Sequence, residues 1–215
     1  MKLVRLVAIA GLLLSSFVGT SIAADVTGRA FITGSAGTLF FISDDQMNGS
    51  AIWENGIKHH SNTKPRLFAD IGFGFVFKRY LSSVVRIGFG WEAYSFDKLR
   101  VATARPLTVG VEYRLGSGKY VPRAGAGVGY YVWSVLEDRK VMKDPITREE
   151  RKRGDPGIYG TAGFDYFARP NLAICTDVFG HHVFAKDTQA FPSGYAYNKD
   201  ILTITLGLKY FFAPR

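Results

Sequence analysis

At 215 residues the chain suits a single domain with a sizeable core. Its one cysteine, Cys175, excludes a disulfide framework. Glycine occurs 24 times and aromatics make up 14% of residues, with no long apolar run after the first twenty positions, so the chain reads as all-β and not as a helical membrane protein.

The N-terminus carries Lys2 and Arg5, an apolar run over 6–18, and then Thr20, Ser21, Ala23 and Ala24. A basic start, a short apolar stretch and a small-residue junction are the parts of a cleavable export signal, here residues 1–24. The run is too short to span a bilayer as a helix. Removal of the signal takes away two positive charges and leaves the basic remainder, from residue 25 on, at +7 instead of +9. The expected mature N-terminus is Ala24 or Asp25; N-terminal sequencing of envelope protein that still begins at Met1 would rule this out. In an exported chain, phosphate-bearing lipid headgroups are the expected anionic neighbours, and no nucleic acid partner is expected.

Period-two alternation bounded by turn residues marks eight strands. The first, 29–42, has no clear facing. The second, 67–77, sets Leu67, Ala69, Ile71, Phe73, Phe75 and Phe77 against Asp70, Gly72 and Gly74. The third, 84–96, sets Val85, Ile87, Phe89, Trp91 and Ala93 against Arg86, Gly88, Gly90 and Glu92. In the fourth, 107–115, Leu107, Val109, Val111 and Tyr113 oppose Thr108, Gly110, Glu112 and Arg114. The fifth, 123–136, the sixth, 157–167, and the seventh, 172–179, place Arg123, Asp165 and Asp177 on the face opposite the apolar one. The eighth, 201–212, alternates Leu202, Ile204, Leu206, Leu208, Tyr210 and Phe212 with Thr203, Thr205, Gly207, Lys209 and Phe211.

A soluble barrel shows the same period with its apolar face inward. Long connections (43–66, 97–106, 137–156, 180–200) alternate with short ones (78–83, 116–122, 168–171), as in bacterial outer-membrane barrels. The charged face also carries most of the glycines, which suits a narrow lumen. Aromatics at Phe77, Tyr113, Tyr166 and Phe212 suit an interfacial girdle. The expected architecture is therefore an eight-stranded antiparallel up-and-down transmembrane β-barrel over 25–215.

With these features the chain resembles the small outer-membrane β-barrel superfamily of OmpA transmembrane domains, OmpX and opacity proteins. The last strand, through Thr205, Gly207, Tyr210 and Phe212, resembles the signal read by the barrel assembly machinery; the tail Ala213-Pro214-Arg215 departs from it. The resemblance implies a place in the bacterial outer membrane, contact with its lipid and lipopolysaccharide, and functions that range over envelope integrity, adhesion, host contact, small pores and lipid A modification.

The lumen face gathers Asp70, Glu92, Glu112, Asp165 and Asp177 with Arg86, Arg114, Arg123 and Lys209. Isolated charges in a narrow barrel are costly, so they are expected to pair as a plug, Arg86 with Glu112 and Arg123 with Asp165. On this view Glu112→Ala lets ions leak through the barrel. A charged solute path is the competing reading of the same residues. No cofactor is expected. His59 and His60 in the first long connection, and His181 and His182 at the start of the last, are weak metal candidates, since adjacent histidines are not a usual ligand spacing. A lipid-facing Ser–His pair, which barrel acyl hydrolases need, is missing, as His181 has no Ser within two residues. The connection 137–156 holds seven basic and six acidic residues and reads as a solvated excursion, with room for a short helix or for contact with lipopolysaccharide phosphates or a partner protein. A non-enzymatic structural or surface-contact protein is the expected function, against a lipid-A-modifying hydrolase or acyltransferase and a narrow channel.

Overall fold

The computed structural model describes residues 25–41, 51–54, 57–60, 66–91, 99–101, 105–116, 118–137, 140–141, 143, 148–150, 152–184 and 200–212. Eight strands form the wall: β1 Ala30–Phe41, β2 Arg66–Lys78, β3 Leu81–Trp91, β4 Arg105–Arg114, β5 Tyr120–Glu137, β6 Lys152–Arg169, β7 Leu172–Val183 and β8 Asp200–Phe211. Each pairs antiparallel with its sequence neighbour, and β1 pairs with β8 from Phe31↔Phe211 to Phe41↔Ile201. The sheet therefore closes and has no edge along the wall.

The wall is inverted relative to a water-soluble protein. Phe73 is 58% exposed on the outside and Leu206 is 60% exposed, while Glu112, Asp165 and Lys209 are 2% exposed or less inside. Ile71, Phe89 and Val111 also face outward. An apolar band of this extent is intolerable in water and required in lipid. β1, whose facing the alternation left open, turns Phe31, Thr33, Ser35 and Leu39 inward and Ile32, Gly34 and Ala36 outward.

The short turns lie at one rim, together with both ends of the described chain. Gly28 N donates to Val76 O, and Phe212 N donates to Ala30 O. At the other rim β5 and β6, 18 residues each, outreach the remaining barrel strands of 10–13 residues. Roughly 9–11 tilted residues cross a bilayer, so these two project well beyond it. Residues 152–156, expected in the 137–156 excursion, instead pair with β5 from Lys152↔Ser134 to Pro156↔Tyr130. A Lys143–Glu150 bridge continues the β structure, and no helix occurs in the described part of that excursion. β7 likewise runs four residues past its expected end, to Val183. Above the membrane both faces are wet, so the alternation that sets strand limits in lipid fades there. Short strands Ala51–Glu54 and Ile57–His60 form a hairpin in the first long connection.

Inside, the rim with the short turns is closed by an apolar floor. Val26, Phe31, Val76, Val84, Val121, Phe167, Ala173 and Phe211 form one buried cluster there. Phe211 packs on Phe31 at 5.4 Å and on Phe167 at 5.6 Å between ring centroids.

Candidate functional site in the barrel lumen

The lumen charges converge above this floor. Each strand from β2 to β8 contributes one member: Asp70, Arg86, Glu112, Arg123, Asp165, Asp177 and Lys209. Arg123 is the hub. Its Nε lies 2.9 Å from Asp165 Oδ1, its Nη2 2.7 Å from the Asp177 carboxylate and its Nη1 3.2 Å from Glu112 Oε1. Arg86 Nη2 lies 3.0 Å from Glu112 Oε1, and Nη1 lies 3.4 Å from Asp70 Oδ1. Lys209 Nζ reaches Asp165 Oδ2 at 3.2 Å and Glu112 Oε2 at 3.6 Å. Arg114 sits where this layer meets the floor, its guanidinium 5.4 Å from the Phe167 ring and 5.5 Å from that of Phe211. With it the layer has four cations and four carboxylates, so it is neutral as a unit.

Ladder position alone does not bring these groups together. Arg86 stands opposite Thr108, and Glu112 stands opposite Ser82. Arg123 stands opposite Gly163, and Asp165 opposite Val121. Long side chains close the offsets, and glycines provide the space: a Cβ at Gly163 would run into Asp177 Oδ1 and lie 3.2 Å from Arg123 Cζ. The charges form one connected network, where the sequence suggested separate pairs, because a guanidinium has donors enough for several carboxylates and the facing strands are within its reach. Glu92 lies outside the described residues.

Towards the long connections the lumen is aromatic. Tyr131 Oη and His181 Nδ1 share a hydrogen bond at 2.8 Å, and His181 stacks on Phe179 at 5.8 Å. A cavity between Phe179, His181, Thr108 and Arg86 measures about 10 Å³, about the room one water needs.

His181 and His182 lie within β7, not in a connection, and alternation sends them to opposite faces. His181 is buried in the lumen; His182 faces out and its Nδ1 lies 2.7 Å from Asp200 Oδ1. They cannot ligate one ion together. His59 and His60 end a short hairpin strand, and their side chains lie outside the described ones. Among the described residues no three His, Cys, Asp or Glu side chains group as metal ligands.

The four residues of the last-strand motif split between the faces: Thr205 and Gly207 turn inward, Tyr210 and Phe212 outward with rings 5.4 Å apart. Gly207 lies at the β1–β8 closure, where an added Cβ would run into Gly34 O and sit 2.8 Å from Ser35 Cα. Backbone cannot yield there as a flexible side chain would. Gly207→Val is expected to cost about 1–3 kcal/mol through this overpacking. Refolding of the purified variant from urea into detergent, followed by its shift in gel mobility on heating, checks this in the absence of any assembly machinery. Folding as complete and as stable as the parent's would limit Gly207 to a recognition role.

A closed eight-stranded wall, outward apolar residues, a buried polar interior and long and short connections on opposite rims define the fold of a small transmembrane β-barrel. Solved structures of that class match the fold. Neisserial surface protein A is 11% identical with a TM-score of 0.61, over 85% of this chain and 97% of that one. OprG from Pseudomonas aeruginosa is 15% identical with a TM-score of 0.52, over 86% and 96%. Ail, the attachment invasion locus protein of Yersinia pestis, solved with the heparin analogue sucrose octasulfate, is 12% identical with a TM-score of 0.53, over 86% and 99%. The chain thus has the fold of the small outer-membrane β-barrel superfamily; at these identities the likeness concerns the fold alone. No family model and no curated protein matches the sequence.

Proposed function

We propose that the chain is a non-enzymatic protein of the bacterial outer membrane, exported by way of residues 1–24, with a sealed lumen and a structural or surface-contact role carried by its long connections. The observation that carries this reading is the lumen itself, where a neutral, interlocked charge layer lies on an apolar floor. Loops on such a rigid scaffold are free to vary and to bind, and lipopolysaccharide or an extracellular protein is the partner class they suit. Thr205, Gly207, Tyr210 and Phe212 would present the chain to the barrel assembly machinery. Against acyl-chain hydrolysis, the outward His182 has Ile158 opposite it on β6 and Gly180 and Phe184 two residues away, none of which bears a nucleophile.

Reconstitution in liposomes separates the readings. Neither lipid turnover nor solute flux is expected. Release of fatty acid from lipid A or phospholipid would replace this reading with the enzymatic one, and steady single-channel currents would replace it with a channel. The floor also revises the expectation for Glu112→Ala. Two seals lie in series, so loss of charges in the upper one leaves the lower intact. Conductance should stay at baseline in Glu112→Ala and rise only when Phe167→Ala and Phe211→Ala are added. A leak from Glu112→Ala alone would mean that the floor does not seal.

A further inference from the structure

The rim with the short turns is basic all the way round. Arg29 precedes β1, Lys78 and Arg79 lie at the β2–β3 turn, Lys119 at the β4–β5 turn and Arg169 at the β6–β7 turn. Arg29 is partly exposed and the other four are exposed; the one acidic side chain described among them is Asp25. Among the described side chains of the opposite rim, Lys140, Lys143, Arg148 and Lys152 are offset by Glu149, Glu150, Asp155 and Asp200.

The basic residues do not stand apart from the lipid-facing wall. Arg79 lies over the Tyr80 ring at 5.4 Å, and Lys119 over the Tyr166 ring at 5.0 Å. A hydrogen bond to the Tyr166 phenol also holds the Lys119 ammonium above its ordinary pKa. Tyr80 packs beside Tyr113 at 6.1 Å, and Tyr120 beside Tyr166 at 5.1 Å. Each cation is thus held against an aromatic side chain that belongs to the outer wall, at the level where acyl chains give way to headgroups. Long basic side chains at that level place their charge among phosphates and their stems among chains.

We propose that this rim is a binding surface for anionic phospholipid headgroups of the leaflet around the short turns, with Lys78, Arg79 and Lys119 as its principal contacts. The inference rests on the transmembrane reading above and adds to it a leaflet and a lipid class. Charge complementarity favours phosphatidylglycerol-type lipids over zwitterionic ones, because a zwitterionic headgroup brings its own cation to the same surface. In bacterial barrels the short turns face the periplasm, where the leaflet is made of phospholipid.

The test uses the full mature chain in bilayers that contain spin-labelled phosphatidylglycerol or spin-labelled phosphatidylcholine as probe. The immobilised fraction of the spectrum reports lipid at the protein surface. About a threefold preference for phosphatidylglycerol is expected, scaled down from the attraction of basic residues near an anionic surface. It should fall towards unity in 1 M salt, where screening acts within about 3 Å. Lys78→Gln/Arg79→Gln/Lys119→Gln should abolish the preference, and Lys140→Gln/Lys143→Gln/Lys152→Gln at the opposite rim should keep most of it. No preference in the parent, or a preference lost only with the second triple variant, overturns the proposal. Insertion into pure phosphatidylcholine tests the barrel reading by itself, since no anionic lipid is present, so the two failures are distinguishable.

Discussion

Arg123→Ala is expected to destabilise the folded barrel by about 3–5 kcal/mol, the cost of stranding buried carboxylates. The side chain is 1% exposed and faces Glu112, Asp165 and Asp177 at once. Its loss leaves Asp177 without the cation at 2.7 Å, leaves Asp165 with Lys209 and leaves Glu112 with Arg86 and Lys209. The network also dictates how double variants behave. Removal of Asp165 together with Arg123 restores the neutrality of the layer but still leaves Asp177 without its cation, so the double variant should recover only part of the loss. Glu112→Ala combined with Arg86→Ala should likewise cost less than the sum of the single changes. Urea titration in lipid vesicles, followed by tryptophan fluorescence, measures all of these. Additive effects throughout would show that the charges act independently, contrary to their geometry.

Ile71→Arg and Leu206→Arg should each cost about 2–4 kcal/mol, the depth-dependent cost of a guanidinium on the lipid face near the bilayer centre. Both side chains are more than half exposed on the outer wall, Ile71 at 51% and Leu206 at 60%. Each lies six residues from an aromatic at the short-turn rim, Phe77 and Phe212, which at ~3.4 Å per residue and a tilt near 40° is roughly 15 Å, about half the hydrocarbon thickness. Tyr113→Arg, at the rim itself, should cost about 0–1 kcal/mol. The decisive result is the gradient between these sites in vesicle-based unfolding. Equal costs at Ile71 and Tyr113 would remove the assigned membrane position. A gain of stability at Ile71 would mean that the outer face is wet.

Within the bilayer the sequence was nearly transparent. Lipid on one side and a crowded lumen on the other give each strand residue one of two incompatible environments, so Ile87 and Arg86, or Leu208 and Lys209, declare their faces directly. The same logic fails above the membrane, where residues 152–156 meet water on both sides and lose their period. It also fails in β1, where Gly34, Ala36 and Gly37 are too small and neutral to mark a side. Proximity in the chain suggested that Arg86 meets Glu112 and that Arg123 meets Asp165, and the structure places both contacts at 2.9–3.0 Å. The contact of Arg123 with Asp177 skips a strand and depends on side-chain reach, and that of Lys209 with Glu112 also crosses the lumen of the closed barrel, which no local pattern encodes. The floor had a signal that alternation analysis passes over. Val76, Val84, Val121, Phe167 and Phe211 are apolar residues on the polar face, gathered at the ends of strands beside the short turns.

The way the lumen is shared among the strands has a kinetic consequence. The first strand brings Phe31 to the floor and the last brings Phe211, and these rings meet only once the sheet has closed on itself. Lys209, also on the last strand, is needed before Asp165 and Glu112 have their full complement of cations. A barrel that lacks its final strand would leave Asp165 and Glu112 without Lys209 and the floor without Phe211, so the contacts among β2 to β7 stay incomplete until β8 joins. Contacts that join positions 31 and 211 also carry a large loop-closure entropy, which slows folding. Completion of the core therefore waits on closure, and a chain truncated within β8 is expected to remain unfolded instead of forming a seven-stranded remnant.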